Sequence, residues 1–354
     1  MKIFYKLYAD CIHVKGWRRS LIIDFLKHEY FFIPNILFDI LTEYKDKSLK
    51  EIKKAFGNEH NEIIDEYFNY LIDKKLVFIC EAHELDYFPD ISIDWQFPSY
   101  ITNAIIEYSN IDILKTVLFQ LDKLFCKHIQ LRFYTSINFH KLKDILLEVT
   151  KTSINSIELV LKYSQETSMN NLVEIAYSFP RLQKIIIFSS NDFLIKPMNK
   201  NQKTDIIFLK NIIDKDHCGY VSPEYFSTNL TFFSESKKYN TCLNRKASID
   251  ENGFIKNCPA IEKDYGNIKD ITLKEAIEKP GFKDLWHIHK DKIEVCKDCE
   301  FRYMCTDCRV FIKDPKNIYS QPAKCNYNPY IAKWKGQEGY KTVEESIKEG
   351  ITTK

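Results

Sequence analysis

Neither sign of charge prevails in this chain: 51 lysines and arginines face 49 acidic residues over 354 positions. A net charge near zero offers no field to draw in nucleic acid or an anionic membrane, so no nucleic-acid or membrane partner is expected. Long apolar runs are missing too. No segment approaches the ~20 apolar residues that span a bilayer, and MKIFYKLYADCIHVKGWRRS lacks the apolar stretch and small-residue cleavage site of a signal peptide. These absences predict a cytoplasmic protein. Between 98 and 235 there is no glycine-rich phosphate loop, hence no nucleotide site, and the chain has no internal repeat or low-complexity linker.

What is present is cysteine. Of 11 in all, seven fall in the last third: Cys242, Cys258, Cys296-Lys-Asp-Cys299, Cys305-Thr-Asp-Cys308 and Cys325. The other four, Cys11, Cys80, Cys126 and Cys218, are scattered without a repeating spacing. An odd count in a reducing compartment argues against a disulfide framework and for metal ligation. Soft thiolates must converge on one point to hold a metal or iron-sulfur group, and Cys-x-x-Cys loops let neighbouring sulfurs do so. A zinc ribbon separates its two knuckles by a longer hairpin than the five residues between Cys299 and Cys305, so the spacing fits iron-sulfur ligation better, with zinc as the alternative.

Hydrophobic periodicity divides the chain into three regions of an α/β protein. Residues 1–85 open with β-like runs (IFYKLYA, RRSLIIDF, EYFFIP). Helical stripes follow: one capped by Asn35, one opened by the capping box Ser48-Leu-Lys-Glu51, and one carrying Ile63, Ile64, Tyr67, Phe68, Leu71 and Ile72 before the strand-like LVFIC. Strands, three helices and a return strand predict a winged-helix-like domain. Its third helix, NEIIDEYFNYLIDKK, is acidic until its last turn, which is wrong for DNA; plain scaffolding and peptide capture by strand addition are the other uses of the shape. Residues 98–235 alternate strand-like and amphipathic helical runs, which predicts a parallel sheet covered by helices. With DIIFL and NLTFF as further strands, it becomes a partial (β/α) barrel or an open sheet. Residues 236–345 form the cysteine module, with one helix from the capping box Thr272-Leu-Lys-Glu275. The polar tail IAKWKGQEGYKTVEESIKEGITTK is expected to fray.

The order Cys242, Gly253, Cys258, Cys296-x-x-Cys299 and Cys305 resembles the SPASM domain of radical SAM peptide-modifying enzymes. That resemblance implies a module following a partial barrel and holding two auxiliary four-iron, four-sulfur (4Fe-4S) clusters. Carried over by motif position, one cluster takes Cys296, Cys299, Cys305 and Cys325, and the other Cys242, Cys258 and Cys308. The family places three residues between the last two cysteines of the run; here Cys305 and Cys308 are separated by two. The second set lacks a fourth sulfur. Cys218, in His217-Cys218-Gly219, is the nearest unassigned cysteine upstream, although an idle buried thiol explains it equally well. Water, a substrate group or an open iron could fill the position instead.

Radical SAM enzymes bind their catalytic cluster through Cys-x-x-x-Cys-x-x-Cys near the start of the barrel, and residues 81–217 contain only Cys126. Adenosyl-radical chemistry by that route is therefore not expected. A SPASM module without the triad, worded TCLNRKASIDENGFIKNCP, CKDCEFRYMCTDCR and CNYNPY, resembles the SPASM-domain peptide maturase of grasp-with-SPASM systems. The resemblance implies a ribosomally made precursor peptide, an ATP-grasp peptide ligase as partner, and graspetide-type maturation in which side-chain carboxylates are joined to hydroxyls or amines. By the same likeness the first 85 residues would capture a precursor leader, near Glu59–Asp73 and Ser20–Phe25. Two other readings stay open: a redox enzyme acting on a peptide at an open iron of the Cys242, Cys258 and Cys308 cluster, and a zinc-bound winged-helix scaffold or regulator. No catalytic acid, base or nucleophile is identifiable. Surface charge is the simpler account of Arg245, Lys246 and Arg309, and a solvated turn that of Lys15, Arg18 and Arg19.

Overall fold

The structure, a computed structural model, describes residues 2–197 and 204–352. Its first elements are strands β1 (Phe4–Leu7), β2 (Cys11–Val14), β3 (Ser20–Asp24) and β4 (Glu29–Ile33), then helices α1 (Asn35–Glu43), α2 (Leu49–Ala55) and α3 (Asn61–Asp73) and strand β5 (Val77–Cys80). The Ser48 hydroxyl and Glu51 carboxylate form the expected capping box on α2. Asn35 does not cap α1. Pro34 holds that position, and the Asn35 side chain is drawn away to donate to the Gly16 and Trp17 carbonyls and to accept from the Ser20 hydroxyl. β5 returns antiparallel to β1, and β2, β3 and β4 form a separate antiparallel sheet with β3 in the middle.

The second stretch alternates as its periodicity predicts: β6 (Asn103–Glu107), α4 (Ile111–Lys123), β7 (His128–Phe133), α5 (Phe139–Thr150), β8 (Ser156–Lys162), α6 (Met169–Ser178), β9 (Leu182–Phe188), β10 (Leu194–Lys196) and β11 (Asp205–Phe208). Asn110, Asn138 and Ser168 cap the three helices, and each helix buries one stripe, such as Leu114, Val117, Leu118 and Leu121 on α4. NLTFF, expected as a strand, is helix α7 (Leu230–Ser236). Asn229 accepts from the Phe232 N–H, and this cap turns the apolar run into a helical start.

Strands β12 (Lys246–Ile249) and β13 (Ile255–Lys256) and helix α8 (Leu273–Glu278) come next. Beyond them lie the strands β14 (Tyr327–Asn328) and β15 (Lys333–Trp334) and helix α9 (Val343–Lys348). The polar tail is ordered rather than frayed. Thr342 and Glu345 box the start of α9, and the buried Asn328 amide bonds the Lys341 carbonyl and the Ser346 hydroxyl.

Two compact units result. One comprises Met1–Trp95, Gly219–Thr241 and Ile288–Lys354; the other comprises Gln96–Cys218 and Cys242–His287. The second unit is built on a mixed eight-stranded sheet in the order β10-β11-β9-β8-β7-β6-β12-β13, parallel from β11 to β12 and antiparallel at both edges. Along β7 and β8 the side chains alternate. Ile129, Leu131, Ile157, Leu159 and Leu161 are buried on one face. On the other, the Gln130 amide donates to Glu158 at 2.9 Å and Arg132 donates to Gln130 at 2.6 Å. The polar row continues through Tyr134, whose hydroxyl donates to Glu107 at 2.8 Å. Burial raises the Glu107 carboxyl above its usual range and pushes the Tyr134 phenol up to about 12.

In the first unit β3 is buried on both sides. Ile22 packs with Leu37, Ile40, Ile64 and Phe68 of the three helices, whereas Leu21 and Ile23 pack with Phe233, Phe301, Tyr303 and Met304. This explains the unbroken apolar run Leu-Ile-Ile, since a strand with two covered faces need not alternate. Arg19, read from the sequence as part of a solvated turn, is instead a cross-link. Its guanidinium donates to the fully buried Glu300 at 2.8 Å and stacks 3.4 Å from the Phe32 ring centroid.

Candidate metal centre

Residues 288–326 contain almost no regular ladder; three-residue 3-10 turns at Lys290–Lys292 and Cys296–Asp298 set their course. Val295, at φ 67°, turns the chain into the Cys-x-x-Cys loop. Four of the predicted ligands, Cys296, Cys299, Cys305 and Cys325, line one cavity of the first unit, with Phe226, Phe301, Tyr327 and Trp334 as its apolar wall. All four are free thiols.

Burial pushes the Cys296 thiol up to about 12 and the Cys305 thiol to about 11, and holds Cys299 well above the usual thiol range. The Lys290 ammonium works against that rise at Cys296 and Cys305. Cys296, Cys299 and Cys305 are thus favoured in the protonated form without a metal, and binding one must release their protons.

Two observations test which group these residues fit. Tetrahedral zinc with Zn–S bonds of ≈ 2.3 Å needs sulfurs about 3.8 Å apart. Among the described residues, no three of these sulfurs lie within 4.8 Å of one another. Four thiolates spread more widely around one apolar cavity fit a multinuclear cluster, where each sulfur serves its own iron. The second observation is polar. Gln321 is 3% exposed, lines the same cavity, and leaves its Oε1 without a hydrogen-bond partner. Turned about its terminal torsion, that amide presents N–H donors to a sulfur-rich group.

Lys290 belongs to no sequence motif. It is 3% exposed, and its Nζ lies 3.7 Å from Cys305 Sγ and 3.9 Å from Cys296 Sγ. Asp307, between the last two cysteines of the run, is 3.5 Å from Lys290, 2.7 Å from Arg309 and 2.6 Å from the Asn240 amide. Arg309 is therefore buried and paired, donating also to the Ile318 and Ser320 carbonyls. The surface-charge reading is wrong for it.

The remaining predicted ligands divide between the units. In the second, Cys218, Cys242 and Cys258 are joined through Lys246. Burial would lower this amine's affinity for a proton, but Cys242 and Cys258, with Cys218 behind them, outweigh it and hold the pKa above the lysine range. Lys246 Nζ lies 3.5 Å from Cys242 Sγ, so it too is no plain surface charge. A hydrogen bond with Cys218, reinforced by burial, raises the Cys258 thiol far above its ordinary value. Cys218 is thus no isolated core thiol. Cys308 lies in the first unit, where its sulfur accepts from the Phe311 N–H at 3.4 Å. A Cβ on Gly219, whose φ is +80°, would meet that sulfur at 3.2 Å, so this close approach calls for glycine. Arg245 donates to the Phe97 and Ser99 carbonyls.

The other cysteines are ordinary core residues. Cys126 is fully buried, with its thiol pushed up to about 12 by burial. Cys11 clusters with Asp10 and Asp24, but Asp24 is already held by Lys27 at 2.6 Å and by the Leu26 and Lys27 N–H groups. His217 is engaged by Asp214 at 2.8 Å, in keeping with a hydrogen-bonding role.

The Ser20–Phe25 stretch named for leader capture contains β3, which is paired on both sides and has no edge to offer. Among the described strands, the open edges of that sheet are β2 and β4. Beside β2 lies a cavity of ≈ 380 Å³ lined by Tyr5, Ile12, His13, Ile40 and Phe68. No described helix is long and apolar enough to cross a membrane.

No family model matches this chain, and no curated protein matches it. Among solved structures it is similar to native anSMEcpe with bound AdoMet, at 9% identity and a TM-score of 0.38 over 63% of this chain and 93% of that one. It is also similar to Streptococcus suis SuiB bound to S-adenosylmethionine, at 11% identity and a TM-score of 0.30 over 90% of this chain and 98% of that one. SuiB bound to the precursor peptide SuiA gives 11% identity and a TM-score of 0.30, over 90% and 99%.

Proposed function

We propose that this chain is an iron-sulfur peptide-maturation protein that binds a ribosomally made precursor peptide and works with an ATP-grasp ligase, without radical initiation of its own. One observation carries the reading: Cys296, Cys299, Cys305 and Cys325 meet in one apolar cavity with a buried lysine against two of their sulfurs. In this reading those four hold one 4Fe-4S cluster. Cys242, Cys258 and Cys308, with Cys218 as the fourth sulfur, hold a second. The shared Lys246 supports grouping Cys218 with Cys242 and Cys258, and Cys308 is added by its motif position alone. When bound, the clusters supply electron storage or a rigid staple.

The first 85 residues are, in this reading, a winged-helix-like leader-recognition domain. The leader joins the sheet at the β2 edge, where backbone pairing provides affinity, and the adjoining cavity takes an apolar leader side chain. The absence of three clustered cysteines between 81 and 217, where Cys126 is fully buried, supports an accessory role rather than an adenosyl-radical one.

Iron and sulfide analysis of anaerobically purified protein tests the cluster claim, with about eight irons per chain expected for two 4Fe-4S groups. Stoichiometric zinc in a colourless, folded sample would sink it. The partnership is tested by incubating precursor and ligase with and without this chain. A mass loss of one water per linkage that depends on this chain supports it; modification of the precursor by this chain alone overturns it.

A further inference from the structure

From the charges around the first cavity we infer that Lys290 is a positioning residue for the group held there, donating to the sulfurs of Cys296 and Cys305 and raising its reduction potential. The inference rests on the reading that Cys296, Cys299, Cys305 and Cys325 bind an iron-sulfur cluster.

The argument is one of charge balance. Lys290 and Arg309 are both nearly inaccessible, at 3% exposure each, and among the described residues Asp307 is the one carboxylate that ion-pairs with them. Asp307 lies closer to Arg309, at 2.7 Å, than to Lys290, at 3.5 Å, and it also accepts from Asn240 at 2.6 Å. Two cations against one anion leave a surplus positive charge in a place where an uncompensated ion is costly. The nearest atoms able to supply the missing negative charge are the Cys305 and Cys296 sulfurs, at 3.7 and 3.9 Å. Phe226, Phe301 and Trp334 wall the cavity and weaken the local screening, so the amine acts on the sulfurs more strongly than it would in water.

A cation and N–H donor at the ligating sulfurs stabilises the more negative, reduced state of a cluster more than its oxidised state, which raises the potential. Asp307 opposes it. Removing the cation and removing the anion therefore have opposite signs, whereas a purely structural role for the trio would have no reason to produce opposite shifts.

The test uses the full chain, reconstituted anaerobically and titrated with a mediator series while the reduced cluster is followed by electron paramagnetic resonance. Lys290→Met is expected to lower the midpoint so that the oxidised-to-reduced ratio at fixed potential changes at least tenfold, about 59 mV for a one-electron couple. Lys290→Arg is expected to restore most of the shift, and Asp307→Asn to move the midpoint upward. A Lys290→Met protein with its iron complement and the wild-type midpoint overturns the inference. Should that variant fail to hold iron, Asp307→Asn decides, and an unchanged or lowered midpoint there overturns it as well. Wild-type protein that binds no iron overturns the cluster reading itself, an outcome distinct from the preceding two.

Discussion

The eight-stranded sheet and the cysteine segment at 288–326 are held together by different physics. In the sheet, apolar side chains recur with the period of the strand or helix that carries them; Ile157, Leu159 and Leu161 are each 0% exposed. In the cysteine segment regular hydrogen bonding is nearly absent, and order comes from side chains reaching elsewhere: Glu300 to Arg19 and Tyr327, Asp307 to Arg309 and Asn240. A periodic region carries its folding energy in local pattern. An aperiodic one depends on a few specific partners, the proposed cluster first among them.

The largest effect expected from this contrast is the loss of that cluster. Chelation, or the pair Cys296→Ser and Cys299→Ser, should abolish amide-exchange protection through 290–330 while leaving Ile129–Leu131, Ile157–Leu161 and Ile185–Ile187 protected. If the sheet melts together with the segment, the two are not independently held. Next, Leu159→Ala removes a fully buried side chain from the sheet and should cost about 3–4 kcal/mol in denaturant unfolding. A loss below about 1 kcal/mol would deny the sheet its dependence on packing.

Glu300→Gln leaves the Arg19 charge without its anion. Because the Arg19 side chain keeps 31% of its exposure, the cost should be about 2–3 kcal/mol, at or below the low end for a broken buried pair. The smallest effect is a pH dependence confined to the sheet. Burial raises Tyr134 from 10.0 to about 12, so the folded state holds that proton more tightly than the unfolded chain does. Its contribution is complete below pH 10 and is lost as the pH rises through 12. Tyr134→Phe should flatten the alkaline slope of the urea midpoint between those values, and an unchanged slope would count against a buried phenol.

Legibility in the sequence follows the same division. Helices α4 to α6 and their strands could be read because two periods, 3.6 and 2, repeat over long runs, and the capping boxes at Ser48 and Thr272 could be read because they are local. NLTFF misled because its composition is β-like, and only the Asn229 cap decides for helix. Strand β2 escaped notice because Cys-Ile-His-Val is short and follows a turn. The tail reads as one that frays because its buried residues, Val343 and Ser346, stand singly in a polar stretch. At the proposed centre, spacing marks the cysteines as candidate ligands, but Lys290 belongs to no motif. Its role depends on distances to Cys296 and Cys305 that sequence separation does not encode. The polar row Glu107, Tyr134, Arg132, Gln130 and Glu158 was equally invisible, since it draws on three different strand segments.

Strand β3 gives one face to the helices α1 to α3 and the other to Phe301, Tyr303 and Met304. It is a party wall, and neither neighbour owns it. Cutting the chain after residue 95 would therefore leave a raw apolar surface on each fragment, and both should be sticky and poorly soluble when made alone. By the same token, a residue inserted within Ser20–Asp24 should disturb Phe301, Tyr303 and Met304 without touching a single sulfur.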